Sequence, residues 1–431
     1  MEHRSDSGLS RQIRLPQAVA LYVGAVLGSG ILLIPGFAAE AAGPASVLVW
    51  GLMSLLALPM ALTMGVLAAR YPDAGGVSAY VRRVFGDHLA AVAGWLFLAS
   101  VPIGAPVTAM AAAGYVQAAF HLSDAAAVTI AVGILAATLL NNYLGASFLG
   151  RSQVAITGSI VVLLIIAIGV AAPNVEAAQF VPFAPYGWQG MGRAASLMFW
   201  CFIGWEAVSH LSEEFTDPRR DTIRAVLIAV GVVGLVYTAV GFVTVGTGSY
   251  GPDLSGGSLS HVVARFLGPV GGRAVALAAV FICMGAINTY VGAASRLAFS
   301  LAREGVAPTA LNRLHPIRRS PHVALAALGV SFGLVLGAQM LGGVGLDFLL
   351  ALPNAAFVGT YALGSLAAVR LLRDDPVMHT LAIISLLLSI AIFAFLGWAM
   401  LYALLVGGAI WLYLRARGAG TRPLARPCDL Q

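Results

Sequence analysis

Residues 24–36 read Gly24-Ala25-Val26-Leu27-Gly28-Ser29-Gly30-Ile31-Leu32-Leu33-Ile34-Pro35-Gly36, and this stretch decides the fold. It lies in an apolar segment running from about Pro16 to Ala42. That is long enough to cross a bilayer, which takes roughly 20 helical residues. Glycine is a weak residue for a helix interior, so Gly28-Ser29-Gly30 predicts that the helix is interrupted halfway. Backbone leaving the helix at that depth would strand its N–H and C=O groups in hydrocarbon unless it faces a polar cavity inside the protein. The half-helix that ends there offers carbonyls and the one that starts there offers amides, which suit an ammonium and a carboxylate respectively. The stretch therefore predicts a binding site for a zwitterion.

The rest of the composition fits a chain that lives in lipid. Of 431 residues, 59% are hydrophobic and 10% charged, with a mean hydropathy of +0.90. A soluble domain could not cover its surface with so few polar groups, which makes this an all-α integral membrane protein. Residues 1–14 are polar, carry Arg4, Arg11 and Arg14, and read as a tail rather than a removable signal peptide. Cys201 and Cys283 fall in apolar segments and Cys428 in the tail, so neither a disulfide nor a metal cluster is suggested. The formal charge of +6 reads as loop arginine on one side of a membrane rather than as a nucleic-acid surface.

Hydropathy predicts twelve spans near 16–42, 45–69, 89–119, 125–142, 151–172, 191–212, 222–247, 272–300, 322–341, 346–369, 377–395 and 397–415. The last two come from one long apolar run divided at Leu396-Gly397-Trp398, and eleven spans is the alternative. Arginine decides orientation. Arg70, Arg82, Arg83, Arg151, Arg219, Arg220, Arg224, Arg303, Arg313, Arg318, Arg319, Arg370 and Arg373 fall in loops on the side of the N-terminus, as do Arg415, Arg417, Arg422 and Arg426. The opposite loops hold only Arg193, Arg265 and Arg273. The positive-inside rule then places both termini in the cytoplasm. Tyr71-Pro72-Asp73-Ala74-Gly75-Gly76 reads as a turn into a short amphipathic piece, and Pro102 and Pro106 should kink the third span. Asn141, Asn142, Asn288 and Asn354, near or inside spans, read as helix-packing groups.

A second interruption falls in the sixth span, at Phe199-Trp200-Cys201-Phe202-Ile203-Gly204-Trp205-Glu206-Ala207. A lone glycine there would mean close helix packing. Two interrupted spans at corresponding places five helices apart point instead to the site of a secondary transporter. Glu206 is an ionisable group inside a span, which by default signals function or a buried structural partner. Both roles stay open: a protonation-linked switch, or an acid that steadies the break. His210 lies four residues on, on the same helical face, and reads as a proton-sharing partner or an interface residue.

Gly28-Ser29-Gly30-Ile31 with Pro35-Gly36 resembles the first-helix signature of the amino acid–polyamine–organocation transporters. So does Phe202-Ile203-Gly204-Trp205-Glu206-Ala207 running on to Asp217-Pro218-Arg219-Arg220-Asp221, and so does Arg296 through Arg303-Glu304-Gly305-Val306-Ala307-Pro308, with Glu304 where Asp is more usual. Within that superfamily, Met198 to Phe202, His210-Leu211, Gly94 to Leu98 and Tyr71 to Val77 are most similar to bacterial methionine/branched-chain amino acid exporters. The resemblance implies a LeuT-like five-plus-five inverted repeat with two trailing helices. Its parts are a tail at 1–14, a first repeat at 15–172, an extracytoplasmic loop at 173–190, a second repeat at 191–373, helices eleven and twelve at 374–416 and a tail at 417–431.

Carried over by position, Ser29 and the amides around Gly28 and Gly30 would hold a substrate carboxylate. The carbonyls of Val26, Trp200 and Ile203, beside Gly204, would hold its ammonium, and Trp200, Phe202 and Trp205 would wall or gate its side chain. Glu206 and His210 would couple or gate. With no lysine in the chain and no isolated acid except Glu206 poised for a cationic side chain, an apolar neutral amino acid is favoured over a cationic one. No cofactor is implied. The coupling ion is expected to be a proton, with sodium as the alternative. Some family members use a fifth-helix lysine for this, whereas Ile160–Ile166 here is wholly apolar. Ser295 could face the first helix at a sodium site or simply bond its own backbone. Glu213, Glu214, Asp217, Arg219 and Arg220 are expected to form solvated ion pairs that latch an inner gate.

The expected function is export of methionine, leucine, isoleucine and valine across the bacterial inner membrane by alternating access, with import of similar amino acids as the sister reading. A membrane-embedded enzyme would need a convergent nucleophile, acid–base pair or metal cluster, which the spacing does not supply. A channel would need a polar stripe through the spans. ATP-driven pumping by this chain would need the lysine of a phosphate-binding loop. Oligomeric state is not written in the sequence.

Overall fold

A computed structural model of the chain describes residues 8–251, 258–341 and 346–416. Arg4, Arg417, Arg422, Arg426 and Cys428 lie outside the described residues, as does the tail at 417–431. Helices dominate the fold: α1 (Leu15–Val26), α2 (Gly30–Ala42), α3 (Ala45–Arg70), α4 (Val77–Phe85), α5 (Asp87–Phe120), α6 (Asp124–Tyr143) and α7 (Ala146–Ala171) make up the first half. The second half contains α8 (Gly187–Phe199), α9 (Pro218–Gly246), α10 (Ser258–Arg303), α11 (His322–Met340), α12 (Leu346–Leu371), α13 (Pro376–Phe395) and α14 (Met400–Ala416). Among the described residues, ten helices are individually long and apolar enough to cross a membrane. The pair α1 and α2 makes an eleventh span bent by 46° at residues 27–29.

Large apolar side chains such as Leu55, Ile165, Leu235, Val330, Leu334 and Leu405 stand exposed on helix faces, as hydrocarbon-facing residues do. Polar residues such as Asn142, Gln153, Asn288 and Arg296 are buried inside the bundle. The core is built by α3 on α9 and by α5 on both α10 and α12, with α1 wedged between α7, α9 and α10.

Most predicted boundaries hold. The turn after Tyr71 leads into α4, whose Val77–Val81 face is buried, and the last apolar run is divided by a turn at Gly397–Ala399. Two elements differ. The eighth span starts earlier than hydropathy indicates, because α10 begins at Ser258 and is kinked at Gly268 (φ 62°, ψ −157°), ahead of Pro269. Its first turns carry Ser260, His261 and Arg265, which lower the hydropathy and hide the helix. The predicted sixth span is α-helical only as far as Phe199; beyond its break the chain continues as a 3-10 helix over Ala207–Glu214.

One end of the bundle gathers the N-terminal segment and the arginine-rich loops. Arg70 pairs with Asp374 at 2.8 Å and Asp375 at 3.5 Å, and Arg82 pairs with Glu304 and Asp87. Burial raises the Glu304 carboxyl above its ordinary range against the opposing pull of Arg82. Ser320 donates to the Tyr143 carbonyl at 2.8 Å, which brings the loop before α11 to the same end as the loop after α6.

Candidate functional site

The two interrupted spans meet at the centre of the fold. In the first, Leu27 leaves the helix with ψ 69°, the Gly28 amide turns back to the Val26 carbonyl at 2.8 Å, and winding restarts at Gly30. Ser29 and Gly30 are thus the cap and first residue of a new helix, where amides lack intrahelical acceptors. In the second, a 3-10 turn at Trp200–Phe202 opens into extended backbone at Ile203 (φ −85°, ψ 144°). Gly204 follows with φ 136°, a conformation that side-chain-bearing residues rarely adopt. A Cβ on Gly204 would lie 2.9 Å from the Ala25 carbonyl, and one on Gly30 would lie 2.5 Å from Cys201 Sγ. The breaks pack on each other at their glycines.

Between them lies a cavity of about 80 Å³. An enclosed water needs ~10–15 Å³ of such space, so there is room for roughly half a dozen waters or one small solute. Val26, Gly28, Ser29 and Gly30 line it from the first break, and Trp200, Cys201 and Ile203 from the second. The remaining walls are mostly apolar: Val101, Gly104 and Ala105 of α5, Ala286 and Ile287 of α10, and Pro353 and Phe357 of α12. Thr108 and Tyr290 add hydroxyl groups. A mostly apolar pocket with a few convergent polar groups is the usual form of a small-molecule site.

Several predicted site residues stand behind the wall rather than in it. Phe202 turns away to pack on Trp50 (ring centroids 6.1 Å apart) and Tyr237 (5.3 Å). Trp205 is fully buried against Tyr22 at 6.3 Å. The Gly204 amide donates to Glu206 Oε2 at 3.1 Å and to the Tyr361 hydroxyl at 3.2 Å. The Glu206 amide also donates to Tyr361, at 3.3 Å, and Tyr290 donates to Glu206 Oε1 at 3.3 Å. Glu206 therefore braces the break from behind, one hydroxyl removed from the cavity through Tyr290. His210 is buried against Phe97, ring centroids 4.5 Å apart, and among the described residues no bond joins it to Glu206.

The groups that hold the two breaks together carry no distinguishing mark in the sequence. The Tyr237 hydroxyl lies 2.7 Å from the Val26 carbonyl and 3.0 Å from the Cys201 carbonyl, bridging both interrupted spans. With the Gly28 amide on the same oxygen, the Val26 carbonyl is fully engaged in this state. On α7 the polar contacts to α1 do not come from the apolar stretch Ile160–Ile166. Instead Thr157 donates to the Ala20 carbonyl at 2.9 Å, and Gln153 bridges the Ala20 (3.4 Å) and Gly285 (3.1 Å) carbonyls. Ser295 donates to its own helix at Gly292, 2.9 Å away. Hydroxyl and amide residues scattered through apolar spans were the available signal, but spacing alone does not say which of them face inward.

The expected solvated latch is corrected. Glu213 and Glu214 are buried, at 6% and 1% exposure, and Glu214 pairs with the fully buried Arg296. Asp217 caps α9 by accepting from the Arg220 amide at 3.2 Å, and Arg219 and Arg220 are exposed. The reason is that residues 207–214 run into the bundle as a 3-10 segment rather than out to solvent.

Comparison with known proteins bears on this geometry. Residues 13–413 match the amino acid permease family. The chain is 36% identical over 416 residues to the uncharacterized amino acid permease YecA of Bacillus subtilis, covering 96% of this chain and 98% of that one. It is 34% identical over 424 residues to the L-methionine/branched-chain amino acid exporter YjeH of Escherichia coli, covering 95% and 98%. It is 29% identical over 399 residues to the branched-chain amino acid permease BcaP of Bacillus subtilis, covering 86% and 83%. The fold matches the crystal structure of MhsT in complex with L-phenylalanine, with a TM-score of 0.63 over 92% of this chain and 99% of that one, at 17% identity.

Proposed function

Because this chain belongs to the amino acid permease family, whose members here are transporters and not enzymes, we propose that it exports neutral apolar L-amino acids by alternating access. The substrates on this reading are methionine, leucine, isoleucine and valine. The observation that carries it is the cavity between the two breaks, with helix-break backbone at one end and apolar side chains over most of its wall. First-turn amides at Ser29 and Gly30 suit the carboxylate. With the Val26 oxygen engaged by Tyr237 and Gly28, the ammonium falls to the carbonyls of Trp200 and Ile203. Val101, Ile203, Ala286, Pro353 and Phe357 would receive the side chain. A charged side chain would meet no counter-charge there, since the one acid nearby, Glu206, is already bonded to Tyr290 and Gly204.

On this reading α8 with its 3-10 continuation makes a twelfth crossing, the first ten crossings form two five-helix repeats, and α13 and α14 trail them. Both termini and the arginine-rich loops face the cytoplasm of a bacterial inner membrane. Glu206, bonded to Gly204 and, through Tyr290, adjacent to the cavity, carries the coupling proton. The second reading is proton-driven uptake of the same substrates; the substrate class, though not the direction, is shared with the relative named a branched-chain amino acid permease. Vesicles loaded with labelled leucine, methionine or arginine separate these cases. Export predicts leucine and methionine efflux coupled to a proton gradient and no arginine flux. Gradient-driven accumulation with no efflux would select uptake, and arginine flux alone would overturn the substrate class.

A further inference from the structure

At the arginine-rich end, three other parts of the chain are tied to residues 212–216. The Gln12 and Ile13 amides donate to the Glu214 carbonyl at 2.9 and 3.0 Å, and the Thr216 amide donates to the Ile13 carbonyl at 2.8 Å. This pins the segment ahead of α1 to the end of the sixth span through a parallel bridge between Ile13 and Phe215. The loop ahead of α4 is held from another side: the Ala74 amide donates to Glu213 Oε2 at 3.0 Å and the Asp73 amide to Ser212 Oγ at 3.3 Å. The Glu214 carboxylate takes the third tie, to Arg296 of α10, with Nε–Oε2 at 3.2 Å and Nη2–Oε1 at 3.4 Å. Both halves of the breaks on this side are sealed: α1 is buried from Ala20 to Val26, and every residue of 207–214 is buried. The outer halves, α2 and α8, are partly exposed.

Among the described residues, Glu214–Arg296 is the one ion pair with both side chains buried, at 2% and 0% exposure. Such a pair adds little stability over apolar packing, because desolvation offsets the attraction, but it selects one arrangement of its partners. The two halves of this pair are not equally placed. Arg296 Nη1 also donates to Asn142 Oδ1 and Ser295 Oγ, each at 3.2 Å. Asn142 donates to Asn288 at 3.1 Å, and Asn288 to Gln153 at 2.7 Å. The guanidinium thus belongs to a polar ladder across α6, α7 and α10 that stays in place without Glu214. The Glu214 carboxylate has no other side-chain partner among the described residues. A pair with one anchored half and one singly held half separates at a defined place.

We propose that residues 212–216 form an inner clasp and that the Glu214–Arg296 pair is its release point. Opening toward the arginine-rich face withdraws Glu214 together with the segment ahead of α1, while Arg296 stays on its ladder. Glu214 and Arg296 are positioning residues in this scheme, which rests on the alternating-access reading. Cys201 lines the central cavity and serves as the reporter, in a Cys283→Ala, Cys428→Ala background. Its labelling by a membrane-impermeant methanethiosulfonate is measured from each face of oriented vesicles. Glu214→Gln should raise labelling from the arginine-rich face at least fivefold without raising it from the other face. The double reversal Glu214→Arg, Arg296→Glu should return it to within twofold of the parent. Gln12→Pro deletes one backbone donor of the clasp without touching either charge, and should also raise labelling from that face. An unchanged rate in correctly inserted Glu214→Gln overturns the proposal. Where Glu214→Gln does not insert, an unchanged rate in Gln12→Pro overturns it. Leucine flux is measured separately on the same vesicles, so the two ideas fail separately. Increased labelling in a chain that moves no amino acid keeps the clasp, and transport with unchanged labelling discards the clasp alone.

Discussion

Replacing Gly204 by alanine tests the contact on which the central cavity depends. Gly204 sits at φ 136°, a region in which a residue with a Cβ is strained by about 1–3 kcal/mol. The added methyl carbon would lie 2.9 Å from the Ala25 carbonyl oxygen and 3.1 Å from Val26 Cγ2. Ordinary contact begins at 3.4 Å, so one break must retreat by 3.4 − 2.9 = 0.5 Å, and overpacking of that kind costs about 1–3 kcal/mol. Allowing for shared relaxation, the arrangement with both breaks in contact loses about 2–4 kcal/mol. At 1.4 kcal/mol per decade this is roughly 30- to 1,000-fold in the affinity for a ligand that needs both breaks. The assay is equilibrium binding of labelled L-leucine to purified protein, with size-exclusion chromatography to verify assembly. Gly158→Ala is the control, because a Cβ there meets nothing within 4 Å. Binding by Gly204→Ala within threefold of the parent, with Gly158→Ala also unchanged, would refute the claim that these two breaks form one site.

Other consequences follow from the same geometry. Ser29→Leu should abolish leucine flux while membrane insertion is preserved, and parental flux would remove the carboxylate seat from Ser29. Glu206→Gln keeps an acceptor for the Gly204 amide but cannot carry a proton, so the flux–pH profile should flatten; an unchanged profile would leave Glu206 a purely structural brace. Tyr237→Phe removes the hydroxyl shared by the Val26 and Cys201 carbonyls. Because Val26 keeps its bond from Gly28, one buried carbonyl is left unpartnered, at a cost of about 1–3 kcal/mol. Leucine affinity should fall by roughly 5- to 150-fold, and an unchanged dissociation constant would dismiss the bridge. Gly104→Leu on the apolar wall should impair leucine and methionine transport more than alanine transport, and equal loss for all three would place the side chain elsewhere.

Much of this organisation was legible because it is written in helix-breaking residues and hydropathy. Gly28-Ser29-Gly30 and Gly204 mark their interruptions through backbone preference alone, and the apolar runs mark the spans. What stayed hidden was whatever depends on helix rotation. Tyr237, Tyr290 and Tyr361 look alike in an apolar sequence, yet all three face inward and bond the breaks. Phe202 and Trp205 flank the second break but turn away from the cavity, because the 3-10 turn and the positive φ at Gly204 rotate them off the helical register. Glu214 reads as a loop acid by its charged neighbours. It is buried because its partner Arg296 lies on α10, 82 residues away in sequence.

The most direct test of the central claim is a crystal structure of the protein grown with L-selenomethionine as substrate, read by the anomalous signal of selenium. One peak is expected inside the cavity, against Val101, Ile203 and Phe357, with the amino acid's backbone between Ser29 and Trp200. A peak outside that cavity, or an empty cavity between two continuously wound spans, would contradict it.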